Sequence, residues 1–107
     1  MVSNPEAPRV FISSASQDSA VATRAVALIE RAGLRSWTST RDVPAGHDHG
    51  EVVPDAIAGS EAVLLLLSKD AVTSPWVLRE VEHAISKQVP LAPVALPSFP
   101  GVESLPK

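Results

Sequence analysis

The chain has 107 residues, 45% of them hydrophobic, and a formal net charge of −3. This length supports one domain with a modest core, and the lack of a basic block argues against nucleic-acid binding. Cysteine is absent, which excludes disulfides, thiolate metal sites and cysteine nucleophiles and suits a reducing compartment. With no signal-peptide pattern and no apolar run of about 20 residues, we expect a cytoplasmic protein that does not contact membranes.

A strand and a helix are predicted first. Residues 9–13 have the pattern of a strand, and Ser16 or Asp18 is suited to cap the helix that follows. Gly33 suits the left-handed residue that ends a helix. The apolar stripe of this helix, repeated at helical spacing, consists of Val21, Ala25, Leu28, Ile29 and Ala32.

The next segment contains a short strand, a long loop and a short helix. Residues 34–37 predict the strand, and the loop is expected to extend from Thr38 to Gly50, because proline and glycine interrupt regular structure there. Val53, Ile57 and Ala56 then indicate a helix before Gly59. Its Pro54 is expected near the first turn, where the missing N–H costs nothing.

Residues 62–68, Ala-Val-Leu-Leu-Leu-Leu-Ser, predict the third strand. Four consecutive leucines cannot alternate between core and solvent, so this strand is expected to be covered on both faces. Such burial is typical of a central strand in a parallel sheet. Open parallel sheets bind ligands outside the carboxyl ends of their strands, so a site is expected where this strand ends.

A helix and a fourth strand complete the pattern. Ser74 is a suitable cap, with Pro75 at the favoured first position, and Pro90 is expected to stop the helix. The predicted inner stripe of this helix consists of Val77, Val81, Ala84, Ile85 and Gln88. Residues 91–96 form the last strand, which Pro93 places at a sheet edge or a strand start.

The alternation of strands and helices predicts an α/β fold with a flavodoxin-like parallel sheet, order 2-1-3-4, and helices on both faces. The ligand crevice is then expected between strands one and three. Four residues stand at those two carboxyl ends: Ser13, Ser14, Ser68 and Lys69. We expect residues 1–8 to be a tail, 9–96 the domain, and 97–107 a proline-rich loop leading to the remainder of a longer protein.

Five stretches, in this order, resemble Toll/interleukin-1 receptor (TIR) domains of the bacterial type. They are residues 10–13, 33–37, 41–46 (Arg-Asp-Val-Pro-Ala-Gly), 56–60 with the strand 63–68 that follows, and 74–80 (Ser-Pro-Trp-Val-Leu-Arg-Glu). No single motif is decisive, but the ordered set is specific and extends over residues 9–96. The chain departs from the family at Ser14, where an aromatic residue or histidine is common, and it lacks the usual fifth strand and closing helix.

The resemblance implies cleavage of NAD⁺ between nicotinamide and ribose, since Glu80 matches the key glutamate of the TIR domains that have this activity. Nicotinamide leaves as a neutral ring, so the reaction needs no general acid. One carboxylate therefore suffices where other glycosidases need two. It binds ribose hydroxyls and stabilises the oxocarbenium charge. Trp76, one turn earlier, is expected to shield the site from water. NAD⁺ is the substrate, and no cofactor or metal is required.

Further residues are candidate NAD⁺ contacts. Residues 13–16 are placed to bind phosphate through backbone amides, although helix capping is an equal alternative. The full set of candidate contacts is Trp76, Ser13, Ser14, Trp37, Asp42, His49, Ser68 and Lys69. Trp37 also suits the core. His47 and His49 resemble a metal pair but have no third ligand nearby in sequence.

Several alternatives remain open. From pattern alone, Glu80 suits a solvated helix residue paired with His83 or Lys87. Glu82 points about 200° away from Glu80, so the two do not form a catalytic pair. The resemblance also fits a TIR adaptor without activity, and the fold type fits a nucleoside deoxyribosyltransferase-like enzyme.

Our leading hypothesis is an NAD⁺ glycohydrolase effector of bacterial antiviral defence. We expect it to be activated when copies of the domain associate through the 38–50 loop, driven by a C-terminal sensor domain.

Overall fold

The computed structural model describes residues 7–43, 46 and 49–98, apart from the side chains of Thr40 and His49. Within these residues a parallel sheet has the order β2-β1-β3-β4. Its strands are β1 (Arg9–Ser13), β2 (Arg35–Trp37), β3 (Ala62–Leu67) and β4 (Leu91–Ala95). The predicted order 2-1-3-4 and the parallel direction are confirmed.

Helices cover both faces of the sheet. In the described part they are α1 (Ser19–Arg31), α2 (Ser39–Asp42), α3 (His49–Ala58) and α4 (Pro75–Ser86). Single 3₁₀ turns precede α1 at Ser16–Asp18 and α4 at Ala71–Thr73. Ile12 and Leu66 pack under α1, while Phe11 and Val63 pack under α3 and α4. The flavodoxin-like arrangement is therefore present.

No described helix has the length and apolar character needed to cross a bilayer.

The leucine run of β3 is covered on both faces, as predicted. Leu65 and Leu66 are buried, and Leu64 and Leu67 are half-buried. Leu65 lies in the cluster beneath α4, and Leu66 in the cluster beneath α1. Consecutive leucines therefore pack on opposite faces of a central strand. Because both faces are covered, the run does not alternate between apolar and polar residues.

The predicted helix stripes are wrong at four positions. Leu28 and Ile85 are each 64% exposed, because α1 and α4 turn Ala22 and Ala84 toward the sheet instead. Ala32 is exposed at the C-cap of α1. Gln88 lies beyond α4 in the left-handed region, with φ of 58°. There the Val89 N–H donates to the Ala84 carbonyl at 2.9 Å, an interaction that ends the helix before Pro90 is reached. Gly33, with φ of 88°, ends α1 as expected.

The segment from residue 38 to residue 50 is not a loop throughout. It contains α2, whose first turn is closed by two reciprocal hydrogen bonds. The Arg41 N–H donates to the Thr38 hydroxyl at 3.3 Å, and the Thr38 N–H donates to the Asp42 carboxylate at 2.9 Å. The α3 helix then begins at His49, so regular structure occupies both ends of the predicted loop. Pro44 lies outside the described residues.

Pro54 lies inside α3, beyond the first turn, so its predicted position was wrong. Its two flanking core residues explain why the helix persists there. Val53 and Ile57 are 3% and 0% exposed and belong to the cluster that contains Phe11 and Val63. Burial of these side chains outweighs the lost backbone hydrogen bond. Pro93, by contrast, lies in β4 at the edge of the described sheet, as its lack of an N–H predicts.

Candidate active site

A cavity of about 720 Å³ opens at the carboxyl end of β1, between α1, α2 and the first turn of α4. Its lining combines small apolar side chains with many hydroxyls and one cation. The lining residues are Ile12, Ser14, Ala15, Ser16, Ser19, Ala22, Thr23, Val26, Thr38, Ser39, Arg41, Ser74 and Trp76. A concave site with convergent polar groups at a parallel-sheet switch point is where this fold class places its ligands.

The start of α4 places the tryptophan in this wall. The Ser74 hydroxyl accepts a hydrogen bond from the Val77 N–H at 3.2 Å, and Pro75 takes the first helical position. This cap fixes the helix so that Trp76, in its first turn, faces the cavity. Glu80 follows one turn later on the same side of the helix. The Ser-Pro sequence therefore sets the position of both residues.

The Glu80 carboxyl is buried, with only 2% of the residue exposed. The Ser13 hydroxyl donates to Glu80 Oε1 at 2.6 Å, whereas Oε2 is buried and accepts no hydrogen bond from the described residues. Burial raises the pKa of Glu80 to about 7, while the nearby Ser13, Trp76 and Ser39 side chains act in the opposite direction. The carboxyl is therefore balanced between its protonated and ionised forms near neutral pH.

Glu80 lies beside the large cavity without lining it. Ser13, which holds the carboxyl, is also absent from that lining, whereas its neighbour Ser14 is present. Trp76 and Ser39 both line the cavity and lie close to the carboxyl. These two side chains therefore connect the cavity wall with the carboxyl.

The structure brings together four of the residues predicted for the site. Ser13 contacts Glu80, and Ser14 and Trp76 line the adjoining cavity. One other predicted contact, Ser68, serves a different purpose. Ser68 is buried, donates to the Asp18 carboxylate and accepts from the Ala71 N–H at 3.0 Å. It therefore ties the end of β3 to the turn before α1.

Three further predicted contacts, Trp37, Lys69 and Asp42, also lie off the cavity wall. Trp37 stacks on Phe11 in the core, with ring centroids 5.3 Å apart. Lys69 is exposed, and its backbone N–H donates to the Ser98 hydroxyl at 3.3 Å. Asp42 is engaged with Thr38 and Arg41. The His49 side chain and His47 lie outside the described part. In that part, no three His, Cys, Asp or Glu residues are grouped as metal ligands would be.

Arg41 lines the cavity, although it was not among the predicted NAD⁺ contacts. Its guanidinium donates to the Asp42 carboxylate at 2.7 Å, to Glu30 at 3.2 Å and to the Ser36 carbonyl at 2.8 Å. Glu30 also accepts from the Ser36 hydroxyl, and this bond, ahead of Arg41, lowers the pKa of Glu30. The cation is thus fixed in the wall by partners that partly neutralise it.

Two hydroxyl groups in the wall were also not predicted. Ser19 and Thr23 lie one helical turn apart on one side of α1, in line with Ser16 of the preceding turn, which falls in the predicted phosphate-binding stretch 13–16. That spacing is the only signal the sequence offers. Helix capping and solvent exposure produce the same pattern, so the residues could be assigned to the cavity only once the orientation of α1 was known.

The interpretation of Glu80 as a solvated helix residue is wrong, because the side chain is buried among β1, α2 and α3. Among the described residues its carboxylate forms no ion pair with His83 or Lys87; the pairs present join Arg41 to Glu30 and Asp42. Glu82 is exposed on another face of α4. Glu80 is therefore the only carboxylate of this helix that adjoins the cavity.

We expect the stability of the protein to fall as the pH rises through neutrality. The pKa of Glu80 is raised from 4.5 to about 7, so between these values the folded protein retains a proton that the unfolded chain has lost. The contribution is complete below the unfolded value and is lost as the pH rises past the folded value. It amounts to at most roughly 3 kcal/mol, at about 1.4 kcal/mol per pKa unit.

Urea unfolding at about pH 5 and about pH 8.5 measures this dependence. Glu80→Gln should remove most of the difference between the two conditions, whereas Glu82→Gln, which alters an exposed carboxylate, should retain it. An unchanged pH dependence in Glu80→Gln would show that Glu80 titrates normally in the folded protein.

Comparisons with known proteins agree with this geometry. A family model described as TIR domain matches residues 10–106. The TIR domain of the Toll-related receptor TRR-2 from Hydra magnipapillata is 26% identical, with a TM-score of 0.71 over 78% of this chain and 66% of that one. A TIR-STING receptor from C. gigas is 28% identical, with a TM-score of 0.74 over 99% of this chain and 36% of that one.

The TIR domains of the activated Roq1 resistosome, which recognises the pathogen effector XopQ, share the fold at 19% identity. Their TM-score is 0.71 over 83% of this chain and 57% of that one. No curated protein matches the chain. The chain thus corresponds to 66% or less of each of these three structures.

Proposed function

Because the chain belongs to the TIR-domain family, we propose that it is an NAD⁺ glycohydrolase, which cleaves the bond between nicotinamide and ribose. One observation carries this proposal. A carboxyl with 2% exposure and a pKa raised to about 7 adjoins a hydroxyl-lined cavity of about 720 Å³. A buried carboxyl without a stabilising ion pair is expensive to maintain, and such groups concentrate at functional sites.

The reaction would place the ribose of NAD⁺ against Glu80 and the rest of the dinucleotide along the hydroxyl-lined wall. The C1′–N1 bond breaks, and its electron pair leaves with nicotinamide, which becomes neutral. The ionised Glu80 stabilises the oxocarbenium charge on the ribose. Water then adds at C1′ and loses a proton, and the products are ADP-ribose, nicotinamide and a proton. No metal or further cofactor is required for this balance.

Three side chains would prepare the carboxylate for this role. Ser13 holds Oε1 at 2.6 Å and so fixes the orientation of the group. Trp76 and Ser39 separate it from the cavity and exclude bulk water until substrate displaces one of them. Since only the ionised form stabilises a cation, cleavage should weaken as the pH falls below about 7.

The biological setting is a further part of the proposal. We place the protein in the cytoplasm as an effector of bacterial antiviral defence, with a sensor domain following the TIR domain. Two of the similar structures belong to a Toll-related receptor and a TIR-STING receptor, and a third to an activated resistosome. These contexts support control of the domain by assembly, for which the 38–50 segment is the proposed contact.

A second candidate function is a TIR adaptor without catalysis. The observation in its favour is that Glu80 does not line the large cavity. A buried glutamate bonded to Ser13 would then serve only to join α4 to β1. An adaptor would bind neighbouring copies of the domain and leave NAD⁺ intact.

Incubation of the purified chain with NAD⁺ at high protein concentration, with free nicotinamide measured over time, separates the two functions. We expect equal amounts of nicotinamide and ADP-ribose, linear or cyclised. A parallel incubation with thymidine and a free purine base tests the deoxyribosyltransferase alternative, for which we expect no base exchange. Intact NAD⁺ at every concentration, including under crowding, would favour the adaptor.

A further inference from the structure

A second, much smaller cavity lies between α3 and α4. Its volume is about 10 Å³, close to the least that accommodates one water molecule. Residues from both helices enclose it: Gly50, Val53, Pro54, Trp76, Arg79, Glu80 and His83. Of the two cavities, this is the one that Glu80 lines, and Trp76 separates it from the other.

One oxygen of the Glu80 carboxyl lacks a hydrogen-bond partner among the described residues. Ser13 occupies Glu80 Oε1, while Oε2 is buried and accepts no hydrogen bond from the described residues. Leaving such an atom without a partner costs its full desolvation penalty, which is larger when the group is charged. Buried polar atoms in this situation are normally satisfied by an ordered water.

His83 supplies a second polar wall to the same cavity. It follows Glu80 by three positions, so the two side chains share a face of α4. The residue is half-buried and therefore extends from the cavity to solvent. No direct ion pair joins the two residues in the described part of the chain. A molecule between them would have a carboxylate on one side and an imidazole on the other.

We propose that this cavity holds one water molecule, which hydrogen-bonds to Glu80 Oε2 and bridges it to the imidazole of His83. The carboxyl then exchanges protons with solvent through α4, without opening the large cavity. The proton passes from the carboxyl to the water while the water passes one to the imidazole, so the charges balance. This site goes beyond NAD⁺ cleavage, because it exists whether or not the protein has that activity.

The other described groups near the Glu80 carboxyl are not placed to take the role proposed for His83. Arg79 borders the cavity on α4 but is exposed, and the acidic residues of α3, Glu51 and Asp55, are exposed as well. On the opposite side, β1 and α2 offer the neutral hydroxyls of Ser13 and Ser39. Of the titratable groups among the described residues that line the cavity, His83 alone is both half-buried and within one helical turn of Glu80 on the same face.

The test is a titration of the Glu80 carboxyl carbon by NMR in the full chain, without NAD⁺. Val53→Ile adds one methylene to the cavity wall and should expel the water, which raises the pKa of Glu80 by about half a unit or more. His83→Gln, which replaces the imidazole at one end of the proposed water bridge, should shift the titration midpoint of Glu80. Val21→Ile, which adds the same methylene beneath α1 on the other face of the sheet, should leave this midpoint unchanged.

Val53→Ala provides a second variant if Val53→Ile does not fold. It enlarges the cavity, so the water remains and the pKa of Glu80 should not rise. A crystal structure of the parent chain should show the water within hydrogen-bond distance of Oε2 and His83. A dry cavity, or a Glu80 titration unaffected by both Val53→Ile and His83→Gln, would overturn the proposal. The NMR titration does not depend on catalytic turnover. It therefore tests the water site even if the protein does not cleave NAD⁺.

Discussion

Glu80→Gln is expected to lower the rate of NAD⁺ cleavage by about 100-fold or more while the fold is retained. The amide preserves the size of the side chain, and its oxygen still accepts from the Ser13 hydroxyl. Only the negative charge is lost, and that charge is what stabilises the oxocarbenium ion. Because burial already disfavours the ionised carboxylate, the neutral amide should be tolerated or even stabilising.

The matched control is Glu82→Gln, which makes the same chemical change two residues later on an exposed face of α4. It should retain nearly full activity. Initial rates of nicotinamide release, with circular dichroism and thermal melting as folding checks, give the comparison. Near-normal cleavage by folded Glu80→Gln would eliminate Glu80 as the catalytic group.

Specific activity should rise steeply with protein concentration, by about tenfold or more over a hundredfold range, if the active site is completed by a neighbouring copy. The lone domain should then be mostly monomeric and weakly active. Light scattering and nicotinamide release, measured on the same samples, relate assembly to turnover. A specific activity that is independent of concentration would argue for a complete site within one copy.

Asp42→Arg should abolish activity, and the structure identifies two contributions to that effect. The carboxylate accepts the Thr38 N–H and the Arg41 guanidinium, so the substitution disrupts α2 as well as any docking surface. Asp42→Asn separates the two, because it keeps an acceptor for Thr38 and removes only the charge. Glu61→Arg, an exposed charge reversal before β3, serves as the control. Full activity in Asp42→Arg would exclude both contributions.

The sheet could be predicted because its signals are local and redundant. Four consecutive leucines bounded by polar residues fit a strand covered on both faces, and the Ser74-Pro75 pair combines a favoured cap with a favoured first helical residue. The extent of the helices was less predictable. Ile85 and Leu28 match the apolar stripes in spacing, yet both are exposed, because packing fixes the rotation of each helix and the sequence period does not.

The carboxyl and the tryptophan of the site could be predicted from the sequence, whereas several hydroxyl residues of the cavity wall could not. Glu80 and Trp76 could be identified because they lie one helical turn apart after a capped start. The participation of Ser19 and Thr23 depends on which side of α1 faces α2, a tertiary relation that their helical spacing alone does not reveal. Ser68 was placed correctly at a strand end, but its hydroxyl pairs with Asp18.

The two tryptophans of the chain occupy contrasting environments, and this gives the protein a built-in optical probe. Trp76 lines both cavities. A ligand in either cavity that shifts the Trp76 side chain therefore changes the polarity around its indole. Trp37 is stacked on Phe11 and packed against the core cluster. In Trp37→Phe the remaining fluorescence comes from Trp76 and reports occupancy of the cavities. In Trp76→Phe it comes from Trp37 and reports whether the sheet is folded. Occupancy and folding are thereby distinguishable by fluorescence without an attached label.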